Sequence, residues 1–100
     1  MTPDLLRKII SFLSARVSIG GEKADSPLRI VFDAPDLTAM IGAGFDEESS
    51  KSILDAPWWD EMVTDIIETP DFCEPDDPPE QMLIYARDVV ADYLQKRVVI

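Results

Sequence analysis

The side chains able to do chemistry in this sequence are carboxylates, and most lie in one stretch. Between Asp46 and Glu80 there are thirteen acids (Asp46, Glu47, Glu48, Asp55, Asp60, Glu61, Asp65, Glu68, Asp71, Glu74, Asp76, Asp77 and Glu80) against one base, Lys51, a net of −12. Residues 1–45 balance five acids with five bases and residues 81–100 net +1, so the formal −11 of the chain comes from that segment. Carboxylates act as general acid and base when paired in surroundings that push their pKa values apart. Asp60 and Asp65, on a stretch rich in apolar residues, are the two acids with such a setting. They carry a carboxylate-dependent enzyme as the least favoured reading.

Other chemistries fall away. The chain has no histidine, which removes the commonest general base, the Ser-His and Cys-His pairs and most transition-metal sites. Its one cysteine, Cys73, sits among Asp71, Glu74, Asp76 and Asp77. Negative neighbours disfavour a thiolate, so Cys73 reads as a small packing residue beside Phe72. Lys51 lies among Ser49, Ser50 and Ser52, a chance grouping on a helix rather than a serine–lysine nucleophile. Residues 69–80 are acidic but lack the central glycine of a calcium loop and are stiffened by Pro70, Pro75, Pro78 and Pro79. Gly42-Ala43-Gly44 is followed by acids, not by the lysine of a phosphate loop. No cofactor and no metal site are expected.

The elements that position these residues follow from periodicity and punctuation. Thr2-Pro3 caps an amphipathic helix over roughly residues 3–18, with Leu5, Leu6, Ile9, Ile10, Leu13 and Val17 on its stripe and Gly20-Gly21 as its stop. Leu28 to Phe32 reads as a short strand. Asp33-Ala34-Pro35-Asp36 reads as the start of a two-turn helix ended by Gly42 and Gly44, and Asp46-Glu47-Glu48 places acids at the start of another. Pro57 opens the most apolar helix, to about residue 68, with Trp58, Trp59, Met62, Val63, Ile66 and Ile67. The last helix spans about 79–97, with Met82, Leu83, Ala86, Val89, Val90, Tyr93 and Leu94 inward and Lys96 and Arg97 at its negative end.

One hundred residues make a single domain over 1–100. The fold class is mainly all-α: a small bundle of about five helices, with at most one two-stranded β-ribbon pairing residues 28–32 with 97–100. No leader peptide is visible, and no apolar run approaches the ~18 residues that cross a bilayer. With a lone cysteine, this points to the cytoplasm.

Function then rests on surfaces. An acidic segment repels nucleic acid and anionic membrane and attracts a basic protein. Arg7, Lys8 and Arg16 are too few for a nucleic-acid footprint and are expected to balance acids of a neighbouring helix. Trp58 and Trp59 point ~100° apart on a helix, so one is expected in the core and the other at its rim or in an interface. Ile84 falls on the back of the last helix and Tyr85 at the edge of its stripe. The partner-binding set is therefore Trp58, Trp59, Asp71, Glu74, Asp76, Asp77, Ile84 and Tyr85. Two readings use it: a module that masks a basic partner, as an inhibitor or immunity protein does, or a homodimeric regulatory or assembly domain formed through the Trp helix. Asp76-Asp77-Pro78-Pro79-Glu80, leading into a helix, is loosely similar to the Asp-Asp-Ser-Pro-Glu turn before the last helix of the colicin DNase immunity proteins, which are acidic four-helix proteins. Pro78 stands where they have serine, and the paired tyrosines that precede their turn are absent.

Overall fold

Thr2 starts the first helix as the sequence predicts. Its hydroxyl accepts the Leu5 N–H at 3.2 Å, and Pro3 occupies the first turn, where its missing N–H is no loss. The computed structural model describes residues 2–20, 29–72 and 77–98. Helix α1 runs Pro3–Ser14 and buries Leu6, Ile9 and Leu13. It ends earlier than its stripe suggests. Val17 and Ile19 alternate with exposed Ser18 in strand β1, Val17–Gly20, instead of continuing the helix.

Strand β1 pairs antiparallel with β2, Arg29–Phe32, in the register Val17 with Phe32 and Ile19 with Ile30. The ribbon predicted around residues 28–32 thus exists with a different partner. Arg97 belongs to a helix, and residues 28, 99 and 100 lie outside those described. The reason is sequence proximity and pattern: a β-branched, alternating segment begins twelve residues upstream, and pairing with it needs no crossing of the domain. Arg16 fastens the open end of the ribbon. Its guanidinium donates to the Asp33 carboxylate at 2.9 Å and stands 4.8 Å from the Phe12 ring centroid. It lies outside α1, and Arg7 pairs with Asp4 on its own helix at 3.2 Å, so neither reaches across to a neighbouring helix.

Helix α2, Leu37–Gly42, is capped by the Asp36 carboxylate accepting the Ala39 N–H at 2.7 Å. Its end is a Schellman turn: Phe45 N–H donates to the Met40 carbonyl at 3.2 Å and Gly44 N–H to Ile41 at 3.0 Å. Gly44 has φ 102°, the left-handed conformation that an L-residue enters at a cost. The turn delivers Phe45 into an edge-on contact with Phe12, ring centroids 5.4 Å apart. Helix α3, Glu47–Leu54, starts on Asp46. The Ser49 backbone N–H held by the Asp46 carboxylate keeps that carboxyl below its ordinary pKa.

Helix α4 spans Trp59–Ile67, followed by a tight 3₁₀ turn, Thr69–Phe72. Helix α5, Pro79–Arg97, is the longest element, 19 residues. It is also the spine: α1, α4 and β1 all pack on it, and β2 lies on α4. The core gathers Leu6, Ile9, Leu13, Val17, Ile30, Met40, Phe45, Ile53, Met62, Ile66, Ala86, Val90, Tyr93 and Leu94. Among the described residues, five α-helices and a two-stranded ribbon make this a mainly-α small bundle. Among the described residues no helix is long and apolar enough to cross a membrane.

Candidate functional site

Helices α4 and α5 pack against each other, and the start of α4 lies beside the end of α5. The seam there holds the most densely functionalised group of side chains. Trp58, the N-cap of α4, packs on Tyr93 with ring centroids 6.2 Å apart. Arg97, one turn beyond Tyr93, holds its guanidinium carbon 4.9 Å from the same ring centroid, a cation–π contact. The Tyr93 hydroxyl donates to the Asp65 carboxylate. Trp58, Glu61 and Asp65 follow one another at three- and four-residue spacing, which places all three on the α4 face toward α5. Burial raises the Tyr93 phenol pKa above its ordinary value, and the Asp65 and Glu61 carboxylates raise it further.

Two clefts open at this seam. One, of about 670 Å³, is lined by Glu48, Ser49, Ser52 and Asp55 from α3 and its cap, by Ala56-Pro57-Trp58, and by Arg97 and Val98. The other, of about 480 Å³, is lined by Asp65, Asp92, Tyr93, Lys96 and Arg97. Arg97 stands on the rim they share. Lys96 is paired with Asp92 at 2.8 Å.

The two tryptophans diverge as adjacent helical positions must, yet neither is fully buried and neither stands free. Trp58 goes to α5, while Trp59 goes to β2, with its ring 6.2 Å from Phe32; both are half-buried. The expectation of one core and one rim tryptophan gives way to two at the rim, because the ribbon and α5 flank α4 on its two sides. Ile84 and Tyr85 are exposed on α5, at 50% and 40%. Asp71 is exposed on the 3₁₀ turn, which packs against α5, and Asp77 is half-buried just before α5 begins. Cys73, Glu74 and Asp76 lie outside the described residues. The predicted contact residues therefore fall into two groups. Trp58 packs on Tyr93 near the C-terminal end of α5, and Asp77, Ile84 and Tyr85 lie toward its N-terminal end; with a rise of ~1.5 Å per residue, the helix climbs about 12 Å from Tyr85 to Tyr93.

The chemistry proposed for single residues has specific outcomes. Asp60 and Asp65 project ~140° apart on α4; Asp60 is exposed, and Asp65 is held by Tyr93. Ser50 is fully buried and its hydroxyl donates to the Asp46 carbonyl at 2.7 Å, while Lys51 pairs with Glu47 at 3.3 Å. Serine and lysine thus face different partners. Among the described residues no three potential metal-ligating side chains come together.

The Tyr93–Asp65 bond and the Arg97 stack were missed by sequence reasoning. A signal was there. A tyrosine within an apolar stripe has a hydroxyl that must find a partner when buried, and α4 offers acids on the adjoining face. No family model, no curated protein and no solved structure matches this chain.

Proposed function

We propose that this domain is a protein-binding module that docks a basic protein partner, as an inhibitor or immunity-type protein masks a cationic site. One observation carries the reading: acids along the α3–α4 side of the domain are exposed and almost uncompensated. Glu47, Glu48, Asp55, Asp60, Glu61, Glu68, Asp71 and Glu80 all face solvent. The only base between Asp46 and Glu80, Lys51, is already engaged by Glu47. Like charges gathered this way repel one another and destabilise the compact state. A cationic surface laid on them removes that cost and accelerates encounter.

The docking face in this reading is the acidic α3–α4 side of the domain together with the adjoining surface of α5. Trp58 borders it on the α5 side of α4 and Trp59 on the β2 side, Ile84 and Tyr85 are exposed on α5, and Asp71, Glu74, Asp76 and Asp77 follow α4 in sequence. Complementary charge governs the association rate, and the aromatic and apolar contacts govern the dissociation rate.

The test is stopped-flow association with a candidate basic protein at low and high salt. The combined variant Glu68→Gln, Asp71→Asn, Glu74→Gln, Asp76→Asn should associate more slowly and with a flatter salt dependence. An unchanged rate with an unchanged salt slope defeats the reading. The solution mass of the free domain, measured alongside, tests the competing homodimer.

A further inference from the structure

We propose that the free edge of β2 docks an extended segment of the basic partner, which adds to the ribbon as a third strand beside α4. This deepens the protein-binding reading and rests on it: that reading gives the partner's charge, and this one the element it inserts.

The backbone sets the first requirement. The Asp33 N–H donates to the Arg16 carbonyl at 3.0 Å. In the register of the ribbon, the hydrogen-bonded pairs are then Arg16 with Asp33, Ser18 with Val31 and Gly20 with Arg29, because bonded and non-bonded pairs alternate along an antiparallel ladder. Ile30 and Phe32 belong to the other set. Their N–H and C=O groups point away from β1, and no described residue bonds them. Such a row of unmet donors and acceptors is a template for one more strand. β2 holds neither of the residues that commonly guard an edge, lysine and proline.

The second requirement is a surface for the added side chains. β1 packs on α5 and β2 on α4, so the free edge of β2 lies on the α4 side. Trp59, Val63 and Ile67 recur at four-residue spacing as one ridge of α4. Trp59 stands against Phe32, ring centroids 6.2 Å apart, which sets the ridge along β2. Trp59 and Val63 are half-buried, and Ile67 is 50% exposed. Beside Trp59 a hollow of about 380 Å³ is lined by Pro35, Leu37 and Leu54, a seat for one large apolar side chain.

Charge selects the occupant. Asp55 also lines the hollow, and Asp60 follows Trp59 on α4; both are exposed, and neither has an ion-pair partner among the described residues. Lys51, the cation among the lining residues, is engaged by Glu47 at 3.3 Å. The segment that fits alternates apolar residues with Lys or Arg, whose stems lie on apolar surface while their heads reach the acids. A second copy fits poorly, because pairing β2 with its own counterpart brings two acidic sides together.

The test is amide hydrogen exchange of the isotope-labelled domain with the hexapeptide acetyl-Lys-Ile-Arg-Val-Lys-Ile-amide. The Ile30 and Phe32 amides should exchange fast in the free domain and at least about tenfold more slowly in the complex, while the Ser18 and Val31 amides are protected in both. Ile67→Ser, and separately Asp55→Asn with Asp60→Asn, should each weaken the peptide about tenfold, and the charge pair should also flatten its salt dependence. Two further peptides carry N-methyl groups, one on its apolar residues and one on its basic residues. A strand faces its neighbour with alternate residues only, so one should bind like the parent and the other at least about tenfold more weakly. Equal binding of the two, or tighter binding of a peptide with Glu at the basic positions, overturns the proposal. So does a doubled solution mass of the free domain with Ile30 and Phe32 already protected, which gives the edge to a second copy. Failures of the two readings look different. If the basic peptide binds with strong salt dependence while Ile30 and Phe32 stay unprotected, the edge is wrong and the acidic docking face stands. If the peptide protects both amides but the Glu68, Asp71, Glu74 and Asp76 variant associates unchanged with a basic protein, the edge stands and the docking face fails.

Discussion

The Tyr93 hydroxyl donates its hydrogen bond to the Asp65 carboxylate, joining the last turn of α4 to the last turns of α5. Tyr93 is only 8% exposed and belongs to the core, so this bond lies at the boundary between apolar packing and the acidic face. Tyr93→Phe keeps the ring against Trp58 and under Arg97 but leaves a half-buried carboxylate without its donor. The expected loss is about 1–3 kcal/mol of unfolding free energy. Asp65→Asn, which retains an acceptor oxygen, should cost less. Urea denaturation of both variants checks the order; a larger loss for Asp65→Asn contradicts it.

The same bond gives a pH dependence. Burial, followed by the Asp65 hydrogen bond, lifts the Tyr93 phenol above its ordinary value of 10.0. A group whose folded pKa is raised stabilises the fold fully below its unfolded value and loses that contribution as pH climbs through the folded one. Stability should therefore fall on the alkaline side, above about pH 10. Tyr93→Phe should flatten that fall. Phenolate absorbance followed beside circular dichroism checks it: Tyr93 should ionise only as the helices are lost.

Gly44 is the residue at which the backbone dictates the side chain. Its φ of 102° closes the turn that carries Phe45 onto Phe12. Gly44→Ala should destabilise by about 1–2 kcal/mol, the left-handed penalty for an L-residue. Gly42→Ala, inside the last turn of α2 with open space around its Cβ position, should be neutral or slightly stabilising. Thermal melts of the pair give the contrast.

What the sequence reveals and what it hides divide along physical lines. Capping residues are local, so Thr2, Asp36, Asp46 and the Pro78-Pro79 start of α5 mark helix boundaries directly. The stripe of α5 is unambiguous because four turns of periodicity outweigh any alternative. Val17 is the counterexample. It fits a helix at four residues from Leu13 and a strand at two from Ile19, and only the partner strand decides between them. The same holds at the candidate site. The acidic segment is visible as composition, but Trp58, Asp65, Tyr93 and Arg97 come together through the packing of two helices, a contact between residues far apart in sequence. The spread of predicted contact residues to both ends of α5 has the same origin.

Ile84 and Tyr85 offer the sharpest separation of binding from folding. Both are exposed on α5, at 50% and 40%, and neither contributes to the buried core. Ile84→Ser and Tyr85→Ser should thus change unfolding free energy by no more than about 0.5 kcal/mol. In the docking reading they supply apolar contact at the end of the face away from Trp58. Losing them should speed dissociation from a basic partner and leave the salt-dependent association rate as it was, because short-range contacts form after the encounter that charge directs. Neutralising Glu68 and Asp71 should do the reverse. Glu68 caps the negative end of α4, where an acid opposes the helix dipole, so Glu68→Gln should also hold or raise stability. Paired measurements of association, dissociation and unfolding on the four variants separate charge from contact. If Ile84→Ser and Tyr85→Ser leave dissociation unchanged while the charge variants still slow association, the partner meets the acidic side of α4 and never reaches the outer face of α5.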